Sequence, residues 1–324
     1  MKRIILLKEE LGMHKYIARR LLYLIPVVIG VTFIIFSLMH LTPGDPARLI
    51  LGEVATAEEI AETRERMGLN DPMIIQYGRF MGQLIFGGED GRLGRSFRTQ
   101  RLISDEIGHR FVPTVQLAAA GTLISVLMGI PIGIIAATKQ YSFFDNITMV
   151  LALLGLSMPL FWMALLMQLL FGIRLGLLPS IGWGTWQQML MPAFAIGVGS
   201  AAVIARMTRS SMLEIIRQDY IRTARAKGQK ESVIIMEHAL KNALIPVVTV
   251  IGLQFGFLLG GAVLTETVFA IPGIGTFMLE GIRTRDMPIV QGGVLVVAIA
   301  FSLVNLLVDI LYAFVDPRIK SQYR

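Results

Sequence analysis

The stretch RMTRSSMLEIIRQDYIRTARAKGQKESVIIMEHALKNALIP, residues 206–246, carries Arg206, Arg209, Arg217, Arg222, Arg225, Lys227, Lys230 and Lys241, with long apolar runs on both sides. A charged side chain at the centre of a bilayer costs about 3 kcal/mol, so this set would cost about 24 kcal/mol, more than the flanking residues offset. The stretch is therefore a water-exposed loop held between membrane spans. It also reads as folded. Ser211 and Glu214 stand at capping-box spacing before Ile215, Ile216, Tyr220, Ile221 and Ala224, which recur on one helical face. Gly228 then ends that helix, Ser232 caps a second one through residues 233–245, and Pro246 leads back into apolar sequence.

Outward from this loop, runs near the roughly 20 residues that cross a hydrocarbon core predict spans at 21–41, 115–137, 147–171, 189–205, 247–268 and 289–315. Composition agrees: hydrophobic residues make up 54% and charged residues 16%, against about 25% charged in soluble proteins. The chain is an all-α polytopic membrane protein. Six spans put both termini on one side. The basic residues of segment 1–20, those of the 206–246 loop, and Arg318, Lys320 and Arg324 in the tail 316–324 place that side in the cytoplasm by the positive-inside rule. Segment 42–114 is then an external region, with residues 57–67 helix-like and 87–94 a glycine-rich turn. The first apolar run is too long for a signal-peptide core and lacks a small-residue cleavage site, so it is an uncleaved span.

Cysteine is absent, which excludes disulfides and thiolate chemistry. A net charge of +7 does not signal nucleic acid, because the positive residues flank spans and no aromatic pattern interleaves them. His14, His40, His109 and His238 are scattered without metal-ligand spacing, and no GxxxxGK[ST] phosphate loop is present, so ATP hydrolysis by that route must come from elsewhere. Small-xxx-small spacing marks Gly129 and Gly133, Ala193, Gly197 and Ala201, and Gly252, Gly256 and Gly260; packing within the chain and packing against another subunit both fit. Among polar groups in the spans, Asn305 and Asp309 share a helix face, and Asp309 stands about two turns before Asp316; a structural ion pair or interhelical hydrogen bond suits this set better than a proton relay. Gln168 and Gln254 fit either a substrate pathway or bonding to a neighbouring helix. Glu266 fits either a cavity that receives a substrate amine or an interfacial cap.

The segment DYIRTARAKGQKESVIIMEHALKNALIP, residues 219–246, resembles the cytoplasmic loop of ABC-importer permeases, in which an alanine and a glycine four residues later mark the helix that docks into an ATPase subunit. Ala224 and Gly228 occupy those positions. Arg222 and Thr223 stand where the general pattern has glutamate and alanine, a departure that fits the dipeptide, oligopeptide and nickel permease family. LTPGDPA (41–47), AIPGIG (270–275), RDMPIVQG (285–292) and VDPRI (315–319) match that family too, in order, over nearly the whole chain. The resemblance is to the first of its two permease subunits and implies a type I importer fold. It also implies a docking surface comprising Tyr220, Arg222, Ala224, Lys227, Gly228 and Glu231, and a pathway drawing on Gln168, Gln254, Glu266 and Asn305. The implied partners are a homologous second permease, two ATPase subunits that bind ATP and Mg, an extracytoplasmic substrate-binding protein, and the lipid of the bacterial inner membrane. No cofactor and no metal is expected on this chain, which is not itself an enzyme. Short peptides are the expected cargo, with nickel or glutathione as alternatives, because the spans hold only His40 and no close acid pair for a metal. A secondary transporter would need its own ion-coupling acids, and a channel or signalling protein would not need a docking helix pair.

Overall fold

The computed structural model describes residues 2–41, 44–52, 54–88 and 90–315. The elements are α1 (Lys2–Leu41), α2 (Pro46–Leu51), α3 (Ala57–Arg66), α4 (Met73–Phe86), α5 (Ile103–Thr138), α6 (Phe143–Ser157), α7 (Leu160–Met167) and a π-helical segment Gln168–Arg174. After them come α8 (Trp186–Ile216), α9 (Asp219–Ala226), α10 (Glu231–Val233), a second π-helical segment Ile234–Ala239, α11 (Leu240–Gly261), α12 (Val263–Val268), α13 (Ile274–Thr284) and α14 (Met287–Val315). The described residues form no strand, only an isolated bridge between Arg95 and Leu102. Asp316, the VDPRI motif beyond Val315 and the basic tail lie outside the described residues.

Among the described residues five helices are long and apolar enough to cross a membrane, and six spans result if the bent pair α6–α7 counts as one. That pair corrects the single span expected at 147–171. Its two helices meet at 99°. Met158 is extended (ψ 126°), as a residue before proline tends to be, and Pro159 cannot donate the N–H that would carry the helix on. The expected span 247–268 is likewise divided, because α11 ends at Gly261 and α12 begins at Val263.

The chain forms two compact units. The first is built on Val115–Ile271 with parts of the terminal helices. Its core gathers Leu117 and Ala118 of α5, Ala164 of α7, Met191 and Ile196 of α8, and Leu258 and Leu259 of α11. The small-residue faces are spent here. A β-carbon on Gly133 would lie 2.7 Å from the Ala205 carbonyl oxygen and 2.5 Å from Thr208 Cβ; on Gly129 it would lie 2.8 Å from the Ala201 oxygen. Gly197 is as close to Gly121, at 2.9 Å from its carbonyl oxygen. Because the register rises together on both helices, α5 and α8 run in the same direction at backbone-to-backbone range. On α11, Gly252 faces Val308 and Gly256 faces Phe301 and Val304 of α14. The glycine spacing thus serves packing within the chain, apart from Gly260, which is exposed. Arg20 and Asp309 form an ion pair at 2.9 Å, the structural role expected for that carboxylate.

The second unit comprises Leu22–Thr114 and Pro272–Ile299. The capping box of Thr56 and Glu59 starts α3 at the place the sequence predicts, and Gly87, Gly91 and Gly94 take positive φ in the glycine-rich turn. The helix α5 starts at Ile103 rather than near Val115. Ile103, Ile107 and Phe111 form an i, i+4 stripe that packs on Ile274, Phe277 and Ile289 and carries the helix beyond its apolar run. Asp286, buried between α13 and α14, accepts hydrogen bonds from Ser96 Oγ (2.5 Å), Phe97 N (3.2 Å) and Arg98 N (3.3 Å), tying the hairpin around Arg95 to this core.

Candidate functional site

The helix pair α9 and α10 lies in the stretch from which the reading began, and its boundaries correct that reading. The helix α8 runs unbroken through Ser211, which is buried in its last turns and caps nothing. No glycine or proline interrupts residues 200–216, so the helix continues about 16 Å past Ala205, taking Arg206 and Arg209 with it. The break comes at Arg217 and Gln218, and α9 starts at Asp219. Ser232 is no cap either: Lys230 holds the N-cap position and Ser232 lies within α10. Pro246 stays inside α11, which follows the π-helical segment without a loop. Interior prolines of this kind are tolerated in membrane helices when neighbours supply partners for the freed backbone.

Three features hold the pair together. Ile221 of α9 is fully buried against Met212, Ile234, Ala239 and Ala243. Gly228 takes φ +73°, a left-handed conformation that reverses the chain at low cost only for glycine, and nothing lies within 4 Å of the place a β-carbon would take. Arg225 clamps Glu231 across the turn, Nη2 to Oε1 at 2.6 Å and Nε to Oε2 at 3.1 Å. Those hydrogen bonds to Glu231 raise the already high pKa of Arg225, outweighing the opposing effect of partial burial.

Of the predicted docking residues, Tyr220, Arg222, Lys227, Gly228 and Glu231 are exposed and Ala224 is half-buried. Tyr220, Thr223, Ala224, Lys227, Gln229 and His238 enclose an open pocket of about 340 Å³. Its wall is braced by a hydrogen bond between His238 Nε2 and Gln229 Oε1 (2.8 Å) and by Asn242 Nδ2, which donates to the Tyr220 hydroxyl (3.0 Å) and to the His238 carbonyl (2.9 Å). His238 and Asn242 are missed by sequence reasoning; the signal was their i, i+4 spacing beside the turn.

The four pathway candidates stand on four elements, the first π-helical segment, α11, α12 and α14. Gln168 Nε2 donates to the Ser180 carbonyl (2.8 Å) and the Val268 carbonyl (3.3 Å), which ties the loop before α8 to α12. Gln254 stands two residues from both Gly252 and Gly256, about 200° around α11 from the glycine face that meets α14. Glu266 is fully buried, and Asn305 Oδ1 is buried without a hydrogen-bond partner. Among the described residues no group of three or more His, Asp or Glu is placed to hold a metal ion. A pair that the sequence reading missed is the buried Asp145 with the half-buried Arg209, joined by two hydrogen bonds at 2.7 and 2.8 Å between α6 and α8.

Comparison with known proteins is consistent with this architecture. Residues 129–321 match the family model described as the binding-protein-dependent transport system inner membrane component, and residues 13–118 match the model for the N-terminal part of such membrane components. The chain is 47% identical to the dipeptide transport system permease protein DppB of Alkalihalophilus pseudofirmus, over 95% of this chain and 100% of that protein. It is 42% identical to the glutathione transport system permease protein GsiC of Salmonella paratyphi A, over 95% of this chain and 99% of that one. Among solved structures, the MetNI methionine ABC transporter in inward-facing conformations shares the fold at a TM-score of 0.58, with 18% identity, over 65% of this chain and 96% of that chain. With full-length relatives far above 30% identity and a family model spanning more than half its length, this chain is a multi-pass membrane protein of the binding-protein-dependent ABC importer family, one of its inner-membrane permease components.

Proposed function

We propose that the chain imports short peptides as one of two permease subunits, with ATP hydrolysed by separate ATPase subunits that grip the α9–α10 pair. The observation that carries this reading is the build of that pair: small residues at Ala224 and Gly228 on an exposed turn, held rigid by the buried Ile221 and the Arg225–Glu231 clamp. Such a rigid, protruding element can be pushed as a body. The helix α8 joins α9 with only a two-residue break, and α10 leads through the π-helical segment into α11. Motion imposed on the turn therefore passes directly into two spans. The pair offers packing and charge but no catalytic constellation, so the coupling is mechanical. ATP and Mg belong to the partner subunits, cargo is delivered by an extracytoplasmic binding protein, and this chain binds no cofactor. In this reading Gln168, Gln254, Glu266 and Asn305 supply the polar groups of the pathway, and the Asn305 oxygen, without a hydrogen-bond partner among the described residues, is available to a passing polar group.

The cargo reading is supported by the dipeptide permease relative, and the glutathione permease relatives favour a second reading within the same chemistry, since glutathione is itself a peptide derivative. Uptake of radiolabelled dipeptides, tripeptides, glutathione and nickel by the reconstituted five-component system separates them. We expect dipeptide or tripeptide accumulation dependent on ATP at the cytoplasmic face. Nickel accumulation that peptides do not compete would overturn the cargo and leave the transporter class standing.

Orientation follows from the same reading: both termini and the 206–246 stretch are cytoplasmic, and residues 42–114 are external. The chain lacks cysteine, so single cysteines can be introduced without removing any. An impermeant thiol reagent added to intact cells is expected to label a cysteine at Arg95 and to miss one at Gln229. The opposite pattern would reverse the topology.

A further inference from the structure

We infer that the pocket between α9 and the π-helical segment Ile234–Ala239 receives a carboxylate side chain, aspartate or glutamate, from the ATPase subunit. The inference rests on the docking reading above and adds the chemistry of the guest. The walls come from Tyr220, Thr223 and Ala224 on one side, Lys227 and Gln229 at the turn, and His238 opposite. Counting donors and acceptors decides what fits. The Lys227 ammonium makes no ion pair or hydrogen bond among the described residues, so its three donors are unspent. The Tyr220 oxygen accepts from Asn242 Nδ2, which leaves its own proton to donate. The Thr223 hydroxyl is already committed to the Asp219 carbonyl at 2.9 Å, and the Gln229 oxygen is taken up by His238. The pocket mouth thus offers donors and positive charge.

The surrounding charges point the same way. Glu231 is neutralised by its clamp with Arg225, and Asp219 lies 3.7 Å from the Arg222 guanidinium, whose side chain is 73% exposed. Neither acid reaches into the pocket as a substitute guest. A neutral amide or hydroxyl would satisfy the hydrogen bonds but leave Lys227 uncompensated as the interface closes over it, whereas a carboxylate supplies both acceptor atoms and charge. The volume of about 340 Å³ holds one such side chain with the water around it. The methyl group of Ala224 lines the pocket, so a larger side chain there takes up room the guest needs.

The test uses the purified complex of both permeases and the ATPase subunits, treated with a water-soluble carbodiimide. This reagent joins an amine to a carboxylate only where the two already touch, with the water of amide formation taken up by the reagent. Peptide mass spectrometry is expected to find Lys227 linked to an aspartate or glutamate of the ATPase. The link should vanish in Lys227→Arg, which keeps the charge but cannot form the amide. Combined Lys227→Ala and Tyr220→Phe should weaken ATPase association by about 10- to 100-fold, the range for losing charge-assisted hydrogen bonds, and Lys227→Arg should weaken it less than Lys227→Ala. Lys227 is exposed, so these variants do not disturb the core. If Lys227 links to the second permease or to nothing, and Lys227→Ala associates as the parent does while Gly228→Trp still dissociates the ATPase, the pocket assignment falls and docking stands. If Gly228→Trp also leaves the ATPase bound, docking at this turn falls and the pocket assignment falls with it.

Discussion

Arg209→Ala is expected to cost the folded chain about 3–5 kcal/mol, the usual loss when one partner of a buried ion pair is removed. Asp145 is 2% exposed and its two carboxylate oxygens meet Arg209 Nε at 2.7 Å and Nη2 at 2.8 Å. The remaining support for that carboxylate is the Tyr141 N–H at 3.0 Å. Removing the guanidinium therefore leaves a buried negative charge with a single donor. The site must then take up a proton, admit water or open the junction between α6 and α8, and each response weakens the first unit. The turn before α6 also depends on this contact, because Tyr141 holds φ +61°, a conformation a non-glycine residue keeps only when its surroundings impose it. Thermal melting of the detergent-solubilised chain is the measurement. Asp145→Ala should be similarly harmful, while the double variant Asp145→Leu with Arg209→Met should recover most of the loss, since no buried charge remains to be stranded. A melting temperature for Arg209→Ala within about one degree of the parent would show that the pair carries no weight.

That pair also marks the limit of what the sequence makes legible. Hydropathy runs locate every long span because lipid demands length and apolarity in one continuous segment. Glycine spacing points to helix contacts for a similar reason, though it could not name the partner of Gly133 or Gly252. What a hydropathy run does not register is direction: Pro159 turns the chain by 99° inside a stretch that remains apolar on both sides. Cap signals fail where a serine is used for its small size, as Ser211 is in the buried face of α8, and Pro246 fails as a boundary because it lies inside α11, where a membrane helix tolerates proline. Asp145 and Arg209 are 64 residues apart, and nothing in the periodicity of either segment refers to the other. The turn between α9 and α10 was legible because its signals are local: a glycine at a reversal, and an apolar stripe of Ile215, Ile216, Tyr220, Ile221 and Ala224 leading up to it. The pathway candidates stay open in the sequence, because an isolated polar residue in a span looks the same whether it serves cargo or, as Gln168 also does, holds a loop.

Gly228→Trp is expected to abolish uptake while the chain still inserts and folds. Two costs add at this position. Any side chain at φ +73° loses about 1–2 kcal/mol in the left-handed region, and a bulky one in a close-packed interface costs a further 1–3 kcal/mol or so. The second weakens ATPase association by about 5- to 150-fold, while the first loosens the turn that the ATPase must meet. Within the chain itself the new β-carbon meets nothing within 4 Å, so a steric defect must arise against a partner rather than inside this fold. Graded substitutions separate the terms. Gly228→Asn, whose side chain tolerates the left-handed region, should lose least; Gly228→Ala adds the backbone cost with little bulk; Gly228→Trp adds both. Ala224→Arg approaches the same surface from α9, where the backbone is ordinary helix, and should reproduce the loss without the conformational component. The readouts are ATP-dependent uptake, co-purification of the ATPase subunits, and the amount of chain in the membrane. If Gly228→Trp and Ala224→Arg both transport at the parental rate with the ATPase still bound, the force that drives this permease enters somewhere other than the turn between α9 and α10.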